Sequence, residues 1–318
     1  MKLGIIGCGT IARQHVLPML KAGFNINSIS GKPGVSESLK LFSSDFNVSN
    51  VFDDSRELLY SNTWDALLLT CPTEQMIDYL HLSIDINKPM LVEKPISYNS
   101  SDLLPFIEKD NICVGLNRRF YKSVVKARDF IKQNKNILIK VSIPETLNKP
   151  PYDEPEKNIQ IKIPKRSYHN SIHVYDILNF LAGKIEWKHN EKIFAKNKLK
   201  AIIAIGCSDS GHLVQLDNYY DSSANFSIDI LSNEKRFLLE PIEISNLYSG
   251  MTVQEPTDDI PIRTYTPFLK RKTIENIDLK PGFLEQAISF MNFCKNKEVD
   301  IAKIKDLYVS MKLIDDLS

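Results

Sequence analysis

The chain has 318 residues, 43% hydrophobic and 25% charged, enough apolar material for one large or two ordinary globular domains. Lysine plus arginine (40) nearly balances aspartate plus glutamate (39), which leaves no electrostatic footprint for nucleic acid. The five cysteines are scattered and form no Cys-x-x-Cys pair, and no apolar run is long enough for a membrane span or a signal segment. These counts predict a cytoplasmic protein with reduced thiols and without a metal, membrane or nucleic-acid partner.

The N-terminal third alternates between two periodicities. "KLGIIG" is a short apolar strand, "CGTIARQHVLPMLKAG" carries helical spacing through Ile11, His15, Leu17 and Leu20, and "INSIS" is a second strand. "DALLLTCP" is a continuous apolar run of the kind buried on both faces of a parallel sheet. "EQMIDYLHLSIDINK" follows as a helix, "PMLVEKP" as a strand, "SSDLLPFIEKD" as a capped helix and "NICVGLNRRF" as another strand. Strands alternating with helices imply right-handed crossovers and a doubly wound parallel sheet, an α/β domain over residues 1–118.

The rhythm then changes. After a helix at "KSVVKARDFIKQN", strands follow without intervening helices: "ILIKVSIP", "IEWKHNEKIF", "KAIIAIGC", "GHLVQLDNYY", "NFSIDILS" and "KRFLLEPIEISN". One helix, "SIHVYDILNFLAG", interrupts the series, and "FLEQAISFMNFCKNK" and "AKIKDLYVSMKLIDDLS" close it. Residues 119–318 therefore predict an α+β domain with a large, open, mainly antiparallel sheet, whose closing helices are free to pack back on the first domain. Its few helices cannot cover both faces, so a homo-oligomer, dimer or tetramer, is expected through this sheet. "ETLNKPPYDEPEKNIQIKIPK" is the one long polar, proline-rich stretch, and loops of that length often carry function.

Three stretches carry chemistry. In "GIIGCGTIA", Gly7, Gly9 and Ala12 form a G-x-G-x-x-A pattern where the first strand turns into the first helix. Gly7 permits the tight turn, Gly9 lets a pyrophosphate approach the backbone, and Ala12 allows close helix–sheet contact. The N–H groups of Thr10, Ile11 and Ala12 would hold phosphates, so the cofactor expected is NADP or NAD. The second strand leads into "SISGKPGVSE", with no acid before Glu37 to meet a ribose 2′-hydroxyl. Lys32 stands where it would meet a 2′-phosphate, which leans towards NADP; an ordinary solvated loop lysine fits the pattern as well. Ligands of open α/β sheets lie beyond the carboxyl ends of the strands, so Thr70, Cys71 and Pro72 of "LLLTCP" should flank the cofactor. Glu93 and Lys94 of "MLVEKPISYN" should too: the strand is apolar until it delivers two charges, and such residues are rarely buried unless paired or used.

Together with "WDALLLTCPTEQMIDYLHLSIDINKPMLVEKPIS" and "HVYDILNFLAG", the glycine turn closely resembles the Gfo/Idh/MocA oxidoreductases, almost to the end of the chain. The resemblance implies that Lys94 sits beside the nicotinamide and the reacting carbinol, where an ammonium stabilises developing oxygen charge. It assigns His173 as the proton acceptor, with Asp176 one helical turn on, and places Arg119 and Tyr121 near the pocket entrance. The chain departs from the pattern at His169, where the family has Asp or Asn; either His169 substitutes as a polar partner or the pocket has changed. The family's Asn and His after the "TCP" proline are replaced by Thr73 and by Gln75 or Met76, with Gln75 taken as a cofactor contact. The resemblance implies an NAD(P)-dependent oxidoreductase acting on a sugar, polyol or nucleotide-sugar carbinol. A catalytically silent cofactor-binding regulator and redox-assisted elimination or hydrolysis stay open on the same fold.

Overall fold

The computed structural model describes residues 1–31, 36–146, 164–195, 198–276 and 278–317. The chain divides into two compact units, Met1–Phe120 with Ile277–Lys312 and Tyr121–Asn276 with Leu313–Ser318.

In chain order the first unit contains β1 (Lys2–Ile6), α1 (Thr10–Lys21), β2 (Asn25–Ser30), α2 (Glu37–Phe46), β3 (Asn50–Phe52), α3 (Ser55–Tyr60), β4 (Ala66–Leu69), α4 (Thr73–Leu82), β5 (Met90–Val92) and β6 (Ile112–Val114). The six strands pair in parallel in the order β3-β2-β1-β4-β5-β6. The order reverses between β1 and β4, the point of an open α/β sheet beyond whose strand ends ligands bind. All four positions of β4 are buried, as its unbroken apolar run requires. Two segments differ from the sequence expectation. Ser100–Phe106 is a 3-10 helix rather than an α-helix, because Pro105 brings no N–H and crowds the carbonyl four residues back. The strand of "NICVGLNRRF" stops at Val114, and Asn117–Phe120 forms a 3-10 turn.

The second unit holds α5 (Lys122–Gln133), β7 (Leu138–Ser142), α6 (Ile172–Ala182), β8 (Ile185–Ala195), β9 (Lys198–Ser208), β10 (Leu213–Tyr219), β11 (Ser227–Ser232), β12 (Lys235–Leu239), β13 (Ile244–Gln254) and β14 (Thr264–Ile274). These strands form one eight-stranded sheet ordered β14-β13-β12-β11-β7-β10-β9-β8, antiparallel except where β10 runs parallel to β7. "KRFLLEPIEISN" is two strands rather than one; Pro241, with no ladder donor, separates β12 from β13. Alternation along the strands buries Val214, Leu216, Ile228, Ile230 and Leu239 on one face. The other face leaves Ile203, Ile205, Leu213 and Tyr219 between 40% and 54% exposed.

The last helices, α7 (Phe283–Cys294) and α8 (Ile304–Asp315), return to the first unit, and the division between units falls inside α8. Phe290 of α7 stacks on Phe24 at 5.5 Å, and Ala287, Phe290, Met291 and Ile301 share one buried cluster with Leu3, Ile5 and Val16. Among the described residues no helix is long and apolar enough to cross a membrane.

Candidate active site

The glycine turn sits at the point where the strand order reverses. Gly7 follows β1 with φ +95, and a methyl there would come within 2.7 Å of the Thr70 carbonyl and the Cys71 nitrogen, so only glycine fits. Gly9 is the N-cap of α1, with extended backbone, and a methyl there would meet nothing within 4 Å. Gly7 thus closes the turn against β4 while Gly9 faces open space. Ala12 is fully buried, as close helix–sheet packing demands. Thr10 and Ile11 begin α1, whose first turn has neither an acidic residue nor a side-chain cap. The opening N–H groups of a helix lack intrahelical acceptors and lie at its positive end. This combination fits a dinucleotide's pyrophosphate.

The loop after β4 is tied to that turn. The Thr70 hydroxyl donates to the Gly7 carbonyl at 2.6 Å, and its N–H to that of Ile6 at 2.8 Å. The Cys71 thiol is buried, contacts the Met76 sulfur at 3.8 Å and is pushed up to about 12 by burial, so it is no thiolate nucleophile. Pro72 and Gln75 are exposed at the start of α4. Lys32 lies outside the described residues.

Beyond β5 the two charges take different paths. Lys94 is half-buried, with a cis bond to Pro95. Glu93 is buried, and both its oxygens are engaged: Oε1 lies 2.6 Å from His15 Nε2, and Oε2 accepts the Lys94 N–H at 3.1 Å. Burial works to raise this carboxyl, but the His15 hydrogen bond and charge, with Lys94, leave it below the usual glutamate range. Arg119, also buried, holds its guanidinium 3.7 Å from Asp306.

The second unit gathers its own set. Tyr121 is buried just ahead of α5. His169 occupies a wide π-type turn, Ser167–Ser171, that runs directly into α6 carrying His173 and Asp176, both buried. Glu145, after β7, fastens this segment. Its buried carboxylate accepts from Arg166 Nε at 2.9 Å, Asn170 Nδ2 at 3.0 Å and the Ser171 hydroxyl at 2.8 Å.

His15 and Glu145 were not among the sequence candidates. His15 sits in the apolar spacing of α1, and a histidine there beside a strand that buries a glutamate was the available signal. Glu145 opens a polar, proline-rich stretch whose composition signals solvent; residues 147–163 of that stretch lie outside the described residues.

Residues 1–108 match the sequence model of the GFO_IDH_MocA family, described as an oxidoreductase family with an NAD-binding Rossmann fold. The resemblance read from the sequence therefore stands over residues 1–108. An uncharacterized oxidoreductase, YrbE of Bacillus subtilis, is 24% identical over 192 residues, 57% of this chain and 53% of its own length. The chain thus spans about half the length of the curated relative it matches. An oxidoreductase from Agrobacterium radiobacter, solved with NAD+, L-tartaric acid and magnesium, superposes with a TM-score of 0.74 at 13% identity, over 99% of this chain and 94% of that one. Levoglucosan dehydrogenase, solved with NADH and L-sorbose, superposes with a TM-score of 0.74 at 14% identity, over 100% and 95%. At these identities the likeness establishes the fold.

Proposed function

Given a Rossmann unit of the Gfo/Idh/MocA oxidoreductase family, we propose that this protein is an NAD(P)-dependent oxidoreductase acting on a carbinol or carbonyl carbon of a sugar, polyol or nucleotide sugar. The observation that carries the reading is the glycine turn: Gly9 faces open space above an uncapped helix N-terminus, and Thr70 locks the turn to β4. Gly7, Gly9 and the first turn of α1 hold the dinucleotide, which supplies the hydride acceptor or donor when bound. Lys94 holds the substrate oxygen and stabilises its charge, and His173 takes the hydroxyl proton. Those two roles come from the family likeness. Engagement of Glu93 with His15 and the Lys94 backbone supports a fixed strand end from which the lysine works.

The test has two stages. Mass spectrometry of the purified protein and calorimetry should detect NAD(H) or NADP(H); a chain that binds neither refutes the reading. With a carbinol substrate in hand, Lys94→Ala and His173→Ala should keep near-native dinucleotide affinity and each lose turnover by roughly 10² or more. Full hydride transfer in Lys94→Ala would remove that lysine from the chemistry.

Assembly belongs to the same proposal. The open sheet face with Ile203, Ile205, Leu213 and Tyr219 supports pairing with a second copy, since apolar sheet faces of this kind mark interfaces. Analytical ultracentrifugation should show at least a dimer, and a concentration-independent monomer would contradict it.

A further inference from the structure

In the first unit α1, the end of β5 and the residue after β6 meet at one buried carboxylate, and α7 packs behind the histidine that reaches it. His15 is 0% exposed on α1, six positions beyond the Gly9 cap, and its Nε2 approaches Glu93 Oε1 at 2.6 Å. The other Glu93 oxygen accepts the backbone N–H of Lys94 at 3.1 Å. Just after β6 the carboxylate fills the space a side chain would take: a methyl on Gly115 would lie 2.8 Å from Glu93 Oε1. From α7, Phe283 packs its ring on that of His15, centroids 4.6 Å apart, with the Lys280 ammonium 4.8 Å from the Phe283 ring centre. The helix that presents its N-terminus to the phosphates and the strand end that presents the lysine are therefore joined through one side-chain contact.

We propose that His15 is a positioning residue that acts on Lys94 through Glu93, fixing the lysine-bearing end of β5 to the dinucleotide-binding helix. This inference rests on the role given to Lys94 above. Two apolar side chains would join α1 to β5 equally well, but would not place an anion against the backbone of the lysine. The charged groups facing Glu93 are His15 from α1, Lys94 beside it in the chain and Lys280 from the segment before α7, with Arg118 acting in turn on Lys280. Of these, His15 gives the carboxylate its side-chain hydrogen bond, which keeps it ionised despite burial. Without that bond the carboxylate is no longer held against the Lys94 backbone, and the Lys94 ammonium loses a neighbouring negative charge.

The experiment follows Lys94 directly. An amine-reactive reagent is applied to the full-length protein across a pH series, and modification at Lys94 is read by peptide mass spectrometry. In His15→Met, which removes the donor, the labelling midpoint should fall by about one pH unit, a roughly tenfold faster reaction at fixed pH below the midpoint. In His15→Gln, whose amide supplies an N–H in place of Nε2, the profile should stay near that of the native chain. Gly115→Ala, which crowds the carboxylate from β6 without touching His15, should move the midpoint in the same direction and carries the test if His15→Met does not fold. NAD(H) and NADP(H) affinities measured by calorimetry should stay within about threefold. An unmoved midpoint in the folded variants overturns the inference, as does a His15→Gln shift as large as that of His15→Met. Failure of the native chain to bind any dinucleotide refutes the functional reading separately, because the labelling profile is read without cofactor.

Discussion

The turn after β1 and the segment leading into α6 both prepare the start of a helix, and they are made of opposite materials. In the turn, backbone does the shaping: Gly7 takes a left-handed conformation, Gly9 leaves open space, and the contact holding them runs from Thr70 to a main-chain carbonyl. Before α6, side chains do it, with Glu145 collecting Arg166, Asn170 and Ser171 around one buried carboxylate. A site shaped by backbone tolerates changes nearby and fails when a Cβ is added. A site shaped by a buried charge accepts bulk elsewhere and fails when that one charge is removed.

Glu145→Ala should break the second region most severely. Removing the carboxylate takes an acceptor from a guanidinium, an amide and a hydroxyl, and losing one partner of a buried ion pair costs about 3–5 kcal/mol, measurable by urea unfolding. In the turn, Gly9→Val should cut dinucleotide affinity at least about 100-fold, about 2.7 kcal/mol, while leaving the melting temperature nearly unchanged because a Cβ there meets nothing within 4 Å. Gly7→Ala should do the reverse, destabilising the fold by about 1–3 kcal/mol through positive φ and a 2.7 Å backbone contact. If Gly9→Val unfolds the chain while Gly7→Ala is silent, the comparison is wrong.

The smallest effect concerns pH. Glu93 has its folded-state pKa lowered, so it binds a proton less readily folded than unfolded. Its contribution is present above the ordinary value of 4.5 and is lost as pH falls through the lower folded value. Urea midpoints recorded on acidification should fall more steeply in the native chain than in Glu93→Gln. Parallel curves would show that Glu93 adds nothing to acid sensitivity.

Legibility in the sequence followed the same division. The glycine turn could be read because its requirements are local and steric, and both sheets could be read because their apolar periods differ. Strand β3, with three residues, is too short to show a period, and α2 and α3 flank it within a stretch rich in turn-forming residues. Glu93 was singled out, but its partner lies 78 positions earlier, in a helix whose spacing accommodates a histidine as readily as a leucine. The donors of Glu145 lie 21 to 26 positions beyond it, and nothing in a polar stretch announces which of its acids turns inward.

The return of α7 to the first unit also sets an order of events during synthesis. Ala287, Phe290 and Met291 belong to the same buried cluster as Leu3 and Ile5, so β1 completes its core only when α7, made well over two hundred residues later, has emerged. Tyr121–Asn276 is made in between, but its compact unit also takes in Leu313–Ser318, so it too is completed only after α7. Until α7 emerges, the growing chain carries an unfinished parallel sheet, with the long-range closure that slows folding and the transient apolar surface that chaperones recognise.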